Sequence, residues 1–205
     1  MPALPKHHYT GEQYLALERK ADYKSEYIDG QIYAMSGASR EHNLISFNLI
    51  AALGTQLKGR PSEGYGSDMR VKIHPTGMYT YPDVTVVCGE AQFEDGQVDT
   101  LVNPTVIIEV LSPSTEAYDR GEKFAHYRKM ESLTDYVLVA QDKMRVEHFV
   151  RVGDEGEQWM FTEVSDPAGI LRLASISCDV AIQDIYDKVV FPAVDKEPTV
   201  EPEKE

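Results

Sequence analysis

Three positions interrupt otherwise apolar, strand-like runs, and their side chains are the kinds that assist metal-dependent hydrolysis. Asp83 follows proline in Tyr81-Pro82-Asp83-Val84-Thr85-Val86-Val87, at the head of a β-branched run. Glu109 is enclosed by Val106-Ile107-Ile108 on one side and Val110-Leu111 on the other. Lys123 falls on the helix expected just after that second strand. Side chains alternate along a strand, so Ile107, Glu109 and Leu111 share one face. An ionised carboxylate among such neighbours is costly unless it is protonated, paired or bound to a cation. Should Asp83 and Glu109 lie side by side on adjacent strands, a divalent cation would relieve their repulsion. Two carboxylates, a backbone carbonyl and waters make the oxygen-rich site that Mg²⁺ prefers. Such a site activates a water and neutralises charge on a scissile phosphate. A nearby lysine would orient that water or offset developing negative charge.

Plainer readings stand beside these. A Pro-Asp pair before a strand is commonly only a turn, and Glu109 could reach water from an edge strand. Asp119, Lys123 and Tyr127 recur at helical spacing and share a face. There the plain reading is a surface ion pair worth ~0.3–0.5 kcal/mol.

The elements that must position these residues follow from periodicity. Thr10-Gly-Glu-Gln13 reads as a capping box opening a short helix. Asp29-Gly30, between Tyr27-Ile28 and Ile32-Tyr33, is a two-residue hairpin signal. Ser39 caps a second helix to about Lys58, in which Ile45, Leu49, Leu53 and Leu57 recur at helical spacing, and Gly59-Arg60-Pro61 ends it. Tyr65 to Ile73 and Tyr79 to Val87 are candidate strands joined by the turn His74-Pro75-Thr76-Gly77. Pro104 to Leu111 reads as a central strand covered on both faces, a third helix covers roughly Ala117 to Glu131, and Tyr136 to Ala140 is another buried strand. Strand-like pieces then continue to about Phe191. The order is that of an α/β or α+β sheet domain with helices on the sheet faces.

A length of 205 residues and 42% hydrophobic content suit a single domain, taken as residues 1–191. Residues 192–205, acidic and proline-punctuated, are expected to form a disordered tail. No apolar run approaches the ~18–20 residues needed to span a bilayer, and the N-terminus lacks the apolar stretch of a signal peptide. Cys88 and Cys178 lack metal-ligand spacing and cannot form a disulfide framework, so the chain reads as cytoplasmic with reduced thiols. The formal net charge of −14 disfavours unaided sliding along polyanions. It does not exclude a nucleic-acid enzyme in which bound metal reverses the sign locally.

Taken together, E-Y-I-D-G-Q-I-Y-A-M-S-G at 26–37, H-N at 42–43, Y-P-D-V at 81–84, I-I-E-V-L-S-P-S-T at 107–115 and D-x-x-x-K-x-x-x-Y at 119–127 resemble the Uma2 family. These are restriction-endonuclease-like proteins of the PD-(D/E)XK nuclease superfamily, and the resemblance covers about residues 8 to 190. It implies a mixed four-stranded core sheet flanked by helices in the order αβββαβ, here with extra β-hairpins. It makes Asp83 the motif aspartate, Glu109 the second acidic ligand and the Val110 carbonyl a third metal contact. The superfamily's lysine usually lies two residues after the second acid, where this chain has Leu111; Lys123 is the implied substitute. Glu26 and His42 also match family positions. Glu26 would be an additional acidic ligand through a water, or only a hairpin ion pair. His42 would contact phosphate or transfer a proton, or only pack or cap its helix. Asp68 is a further supporting candidate, and Tyr127 would pack or hold Lys123.

The expected function is a Mg²⁺-dependent endonuclease, with Mn²⁺ able to substitute, that cuts phosphodiester bonds in DNA. Cutting both strands of a duplex would favour a homodimer, and no membrane partner is expected. The alternative is a catalytically inactive relative acting as a nucleic-acid-binding or protein-interaction module. A third possibility is a metal-dependent enzyme acting on another phosphate ester.

Overall fold

The computed structural model describes residues 7–153 and 158–192. Helix α1 (Gly11–Glu18) starts at the expected capping box, in which Thr10 and Gln13 satisfy each other's backbone N–H groups. Strands β1 (Ser25–Ile28) and β2 (Gln31–Ala34) pair around Asp29-Gly30. Both turn residues have positive φ, 46° and 80°, as a two-residue hairpin turn of this hand requires. Helix α2 (Arg40–Leu57) is capped by Ser39 and buries Ile45, Leu49, Leu53 and Leu57.

Two expected strands divide. Tyr65 to Ile73 is split between β3 (Ser62–Gly66) and β4 (Arg70–Ile73), and Tyr79 to Val87 between β5 (Met78–Thr80) and β6 (Val84–Cys88). β4 and β5 pair around the 74–77 turn as expected, whereas β3 and β6 pair in a different sheet. Pro82 supplies the physical reason for one break: without an N–H it cannot carry a ladder through. Gly66 is the regular partner of Val84.

The remaining elements are β7 (Thr100–Leu101), β8 (Val106–Leu111), α3 (Glu116–Tyr118), a π-helical segment Asp119–Lys123, α4 (Phe124–Tyr127), β9 (Asp135–Ala140), β10 (Val146–Val152), β11 (Gln158–Val164), β12 (Ile170–Leu173), β13 (Cys178–Ala181) and α5 (Ile182–Ile185). The helix expected to reach Glu131 therefore stops at Tyr127 and is interrupted in its middle. A large sheet has the order β11-β10-β9-β8-β6-β3, a smaller one β2-β1-β5-β4-β7, and β12-β13 stands apart. The large sheet is mixed, since β8 and β9 are parallel and β8 and β6 antiparallel. With β4, β5 and β7 set aside, the chain runs α2, β3, β6, β8, helix, β9, which is the αβββαβ order; the hairpins are additions to it. The fold class is α+β.

β8 is central, not an edge, and all six of its residues are buried. Ile108 and Val110 pack under α2 with Val84, Val86, Val137 and Val139. Ile107 and Leu111 face the second core, with Val71, Ile73, Met78, Tyr127 and Tyr136. Glu109 shares that second face, between the sheets. No helix among the described residues is long and apolar enough to cross a membrane, and both cysteines are free, Cys88 exposed and Cys178 buried. The acidic tail expected at 192–205 lies outside the described residues, Pro192 excepted.

Candidate active site

Five residues singled out from the sequence converge at the C-terminal end of β8. Asp83 lies in the link between β5 and β6, and its Oδ2 accepts the Val110 N–H at 2.8 Å. His42, in the first turn of α2, places Nε2 3.1 Å from the same oxygen. N–H and C=O of one strand residue point to the same edge, so the Val110 carbonyl also faces the edge where β6 has not yet begun.

Lys123 meets three carboxylates. Its Nζ is 2.9 Å from Glu109 Oε1, 3.2 Å from Glu26 Oε1 and 3.5 Å from Asp119 Oδ1. The Asp119–Lys123 pair is thus no surface ion pair: the two side chains are only 5% and 6% exposed. The π-helical segment carries both residues; such a segment puts an extra residue into the turn and is common at functional sites. Tyr127 donates to Glu109 Oε1 at 2.9 Å, and its hydroxyl lies 3.3 Å from Thr80 Oγ1. Thr80 in turn donates to Glu26 Oε1. Asp68 does not join this cluster; it is almost fully exposed and pairs with Lys24 at 3.0 Å.

The electrostatics are those of a site short of positive charge. Burial pushes the Glu109 carboxyl up to about 8; Lys123 pulls it down, while Asp119 and Asp83 push it further up. Burial also raises Asp119, against Lys123. Burial alone would lower Lys123, but Glu109, Tyr127, Glu26 and Asp119 more than offset that and hold the ammonium charged. Lys123 therefore explains how Glu109 is tolerated, and a metal is not required for that purpose. One fixed ammonium faces three carboxyl groups, and a fourth, Asp83, acts on Glu109.

The Glu109 shift has a measurable consequence. With a raised pKa, folded Glu109 keeps a proton that the unfolded chain releases above about 4.5. The stability from this group is full below that value and is lost as pH rises through about 8. Lys123 stays charged over the whole window. In EDTA, the unfolding free energy should fall between pH 5 and 8 by an amount on the order of 3 kcal/mol, and Glu109→Gln should flatten the profile. Identical slopes for the two proteins in urea titrations would count against the buried acid.

The donor set suits a hard cation. No described residue donates to Asp83 Oδ1 or Glu109 Oε2, so each carboxylate keeps one oxygen free for a ligand. All the candidate donors are oxygens, the preference of Mg²⁺ and of similar ions. Among the described residues no three His, Cys, Asp or Glu side chains form a ready ligand cluster, so a cation here would draw its other contacts from a backbone carbonyl and water.

Sequence reasoning missed Thr80, which contacts both Glu26 and Tyr127 and carries no pattern of its own. For Asp119 and Lys123 its plain reading was a surface ion pair, since a helical Asp-Lys pair gives no sign of the turn that buries it.

Comparison with known proteins bears on this geometry. The family model for Uma2, described as "Putative restriction endonuclease", matches residues 12–182. An uncharacterized protein of Synechocystis sp., sll1609, is 41% identical over 155 residues, 76% of this chain and 86% of its own. A second from the same organism, slr1290, is 38% identical over 192 residues, 93% of this chain and 97% of its own. The crystal structure of "a putative nuclease belonging to DUF820" from Anabaena variabilis superposes with a TM-score of 0.71 at 18% identity, covering 88% of this chain and 99% of that one. At that identity the likeness speaks for the fold.

Proposed function

We propose, from the premise that this chain belongs to the Uma2 family, that it is a metal-dependent endonuclease hydrolysing phosphodiester bonds in DNA. The observation that carries the reading is the charge imbalance at the end of β8, where three carboxyl groups face one fixed ammonium and Asp83 adds a fourth that acts on Glu109. A nuclease-type site needs such a deficit, because cation and substrate phosphate enter it together.

Asp83 and Glu109 would hold the ion through Oδ1 and Oε2, with the Val110 carbonyl as a third contact. When bound, Mg²⁺ or Mn²⁺ acidifies a water and draws charge from the phosphate. Lys123, kept protonated by its three carboxylates, orients that water and offsets charge that develops in the transition state. Glu26 anchors the lysine and reaches the metal's hydration shell. His42 holds Asp83 in place and meets the phosphate. Cutting both strands of a duplex would call for two copies, and free thiols suit a cytoplasmic location.

The second reading, a non-catalytic binding module, is favoured by one observation: the Lys123–Glu109 pair neutralises the buried acid with no metal present. Calorimetric titration with Mg²⁺ and Mn²⁺ separates the two. The unmodified protein should bind one ion per active site, and Asp83→Ala or Glu109→Ala should abolish binding. His42→Ala should weaken it ~10–100-fold, the usual cost of losing a partner that orients a ligand. No heat from either ion at millimolar concentration would leave the binding module as the better account.

A further inference from the structure

Tyr118 carries a hydroxyl that neither the fold nor the proposed chemistry uses. The residue ends α3, directly before Asp119, and its half-buried ring packs against the second core. The ring centroid lies 5.9 Å from Lys123 Nζ, close enough for a cation–π contact. The oxygen is buried, yet it makes no hydrogen bond to any described residue. Charged neighbours are not lacking: Glu26, Lys123, Glu122 and Asp119 all act on it. Burial raises the phenol above its ordinary value and Glu26 adds to that, so the group keeps its hydrogen and is a donor.

A buried donor left unbonded is a net cost to the fold, and native structures hold few of them. The carboxylates beside it are engaged elsewhere: Glu26 Oε1 takes Thr80 and Lys123, and Asp119 Oδ1 lies against Lys123. Lys123 itself turns its three N–H groups toward Glu109, Glu26 and Asp119. It therefore meets an entering anion with charge but with no hydrogen bond standing ready. Tyr118 offers the complement, an uncharged donor with nothing to release first. A cation brings no acceptor to it, and a water on that cation commits its lone pair to the metal. The oxygen that fits is anionic and arrives with the substrate. Donors held in place and out of water stabilise such charge strongly, because nothing has to reorganise.

We propose that Tyr118 is a catalytic residue whose hydroxyl donates to a non-bridging oxygen of the scissile phosphate, beside the Lys123 ammonium. The inference rests on the nuclease reading and adds to it the group that grips the anion. α3 is a single short turn, and its Thr115 makes no side-chain cap, so a small shift brings the hydroxyl against a bound oxygen.

Tyr118→Phe removes the oxygen and keeps the ring. Loss of an unbonded buried hydroxyl should leave the urea midpoint of the metal-free protein where it was, or raise it. Mn²⁺ should bind with unchanged affinity in calorimetry. Thymidine monophosphate, titrated into the Mn²⁺-loaded protein as an analogue of the product, should bind ~10-fold more weakly than to the unmodified chain. Plasmid nicking should slow ~10²-fold. A lower urea midpoint would reveal a structural partner for the hydroxyl and overturn the proposal. So would normal nucleotide binding with normal nicking. A loss confined to Mn²⁺ affinity overturns it too, for then the group serves the ion's water and not the phosphate. The parent reading fails differently: an unmodified protein that binds Mn²⁺ and the nucleotide, the latter through Tyr118, but never cuts DNA would sink the nuclease and leave the phosphate donor standing.

Discussion

Alanine at Asp83 or Glu109 should lower DNA cleavage by on the order of 10²–10³-fold or more, the cost of removing one preorganised electrostatic contact from a hydrolytic site. The measurement is nicking of supercoiled plasmid, and cutting of a single-stranded circle, in millimolar Mg²⁺ and Mn²⁺. The two variants should fail for related but separable reasons. Asp83 is only partly buried, accepts the Val110 N–H and lies against His42; its loss leaves the lysine cluster intact. Glu109 is 4% exposed and binds both Lys123 and Tyr127, so its loss also frees an ammonium and a hydroxyl. Asp83→Ala should therefore fold like the unmodified protein and simply not cut. If both variants cut at the normal rate, the hydrolytic assignment is wrong whatever the family.

The largest effect on stability should come from Lys123→Met. That change leaves Glu26, Glu109 and Asp119 facing one another without a cation, at sites 4–8% exposed. Removing one partner of a buried pair typically costs about 3–5 kcal/mol, and the loss should appear at pH 7 in urea denaturation. It should shrink as pH falls, where the raised carboxyl of Asp119 takes up a proton, as Glu109 already has below about 8. Adding Glu109→Gln to Lys123→Met should restore a good part of the stability and none of the cleavage. A Lys123→Met protein within 1 kcal/mol of the original at pH 7 would show that solvent reaches the cluster freely.

The helices and the central strand were legible because each rests on local signals. The Thr10 and Ser39 caps, the fourfold leucine–isoleucine spacing of α2 and the unbroken apolar run around Glu109 each specify an element with little outside help. The divided strands were not legible, because periodicity reports that a segment is extended and not which sheet it joins. Tyr79-Thr80 and Val84-Thr85 read as one run, yet Pro82 sends the two halves to different partners. The site was legible in its members more than in its arrangement. Glu109 stood out as a charge in an apolar run and Asp83 by its motif. That Lys123 lies 2.9 Å from Glu109 depends on a π-helical turn that no helical wheel drawn on Asp119 and Lys123 displays.

The small sheet contributes Glu26 and Thr80, the large sheet contributes Glu109, and Lys123 and Tyr127 bind to both. The same handful of atoms proposed to ready a phosphate for attack also rivets two slabs of the molecule together. A lineage that discarded the chemistry would still be held to this lysine and tyrosine by architecture, so their persistence in a sequence is a poor witness to activity. The free oxygens of Asp83 and Glu109 would speak more plainly.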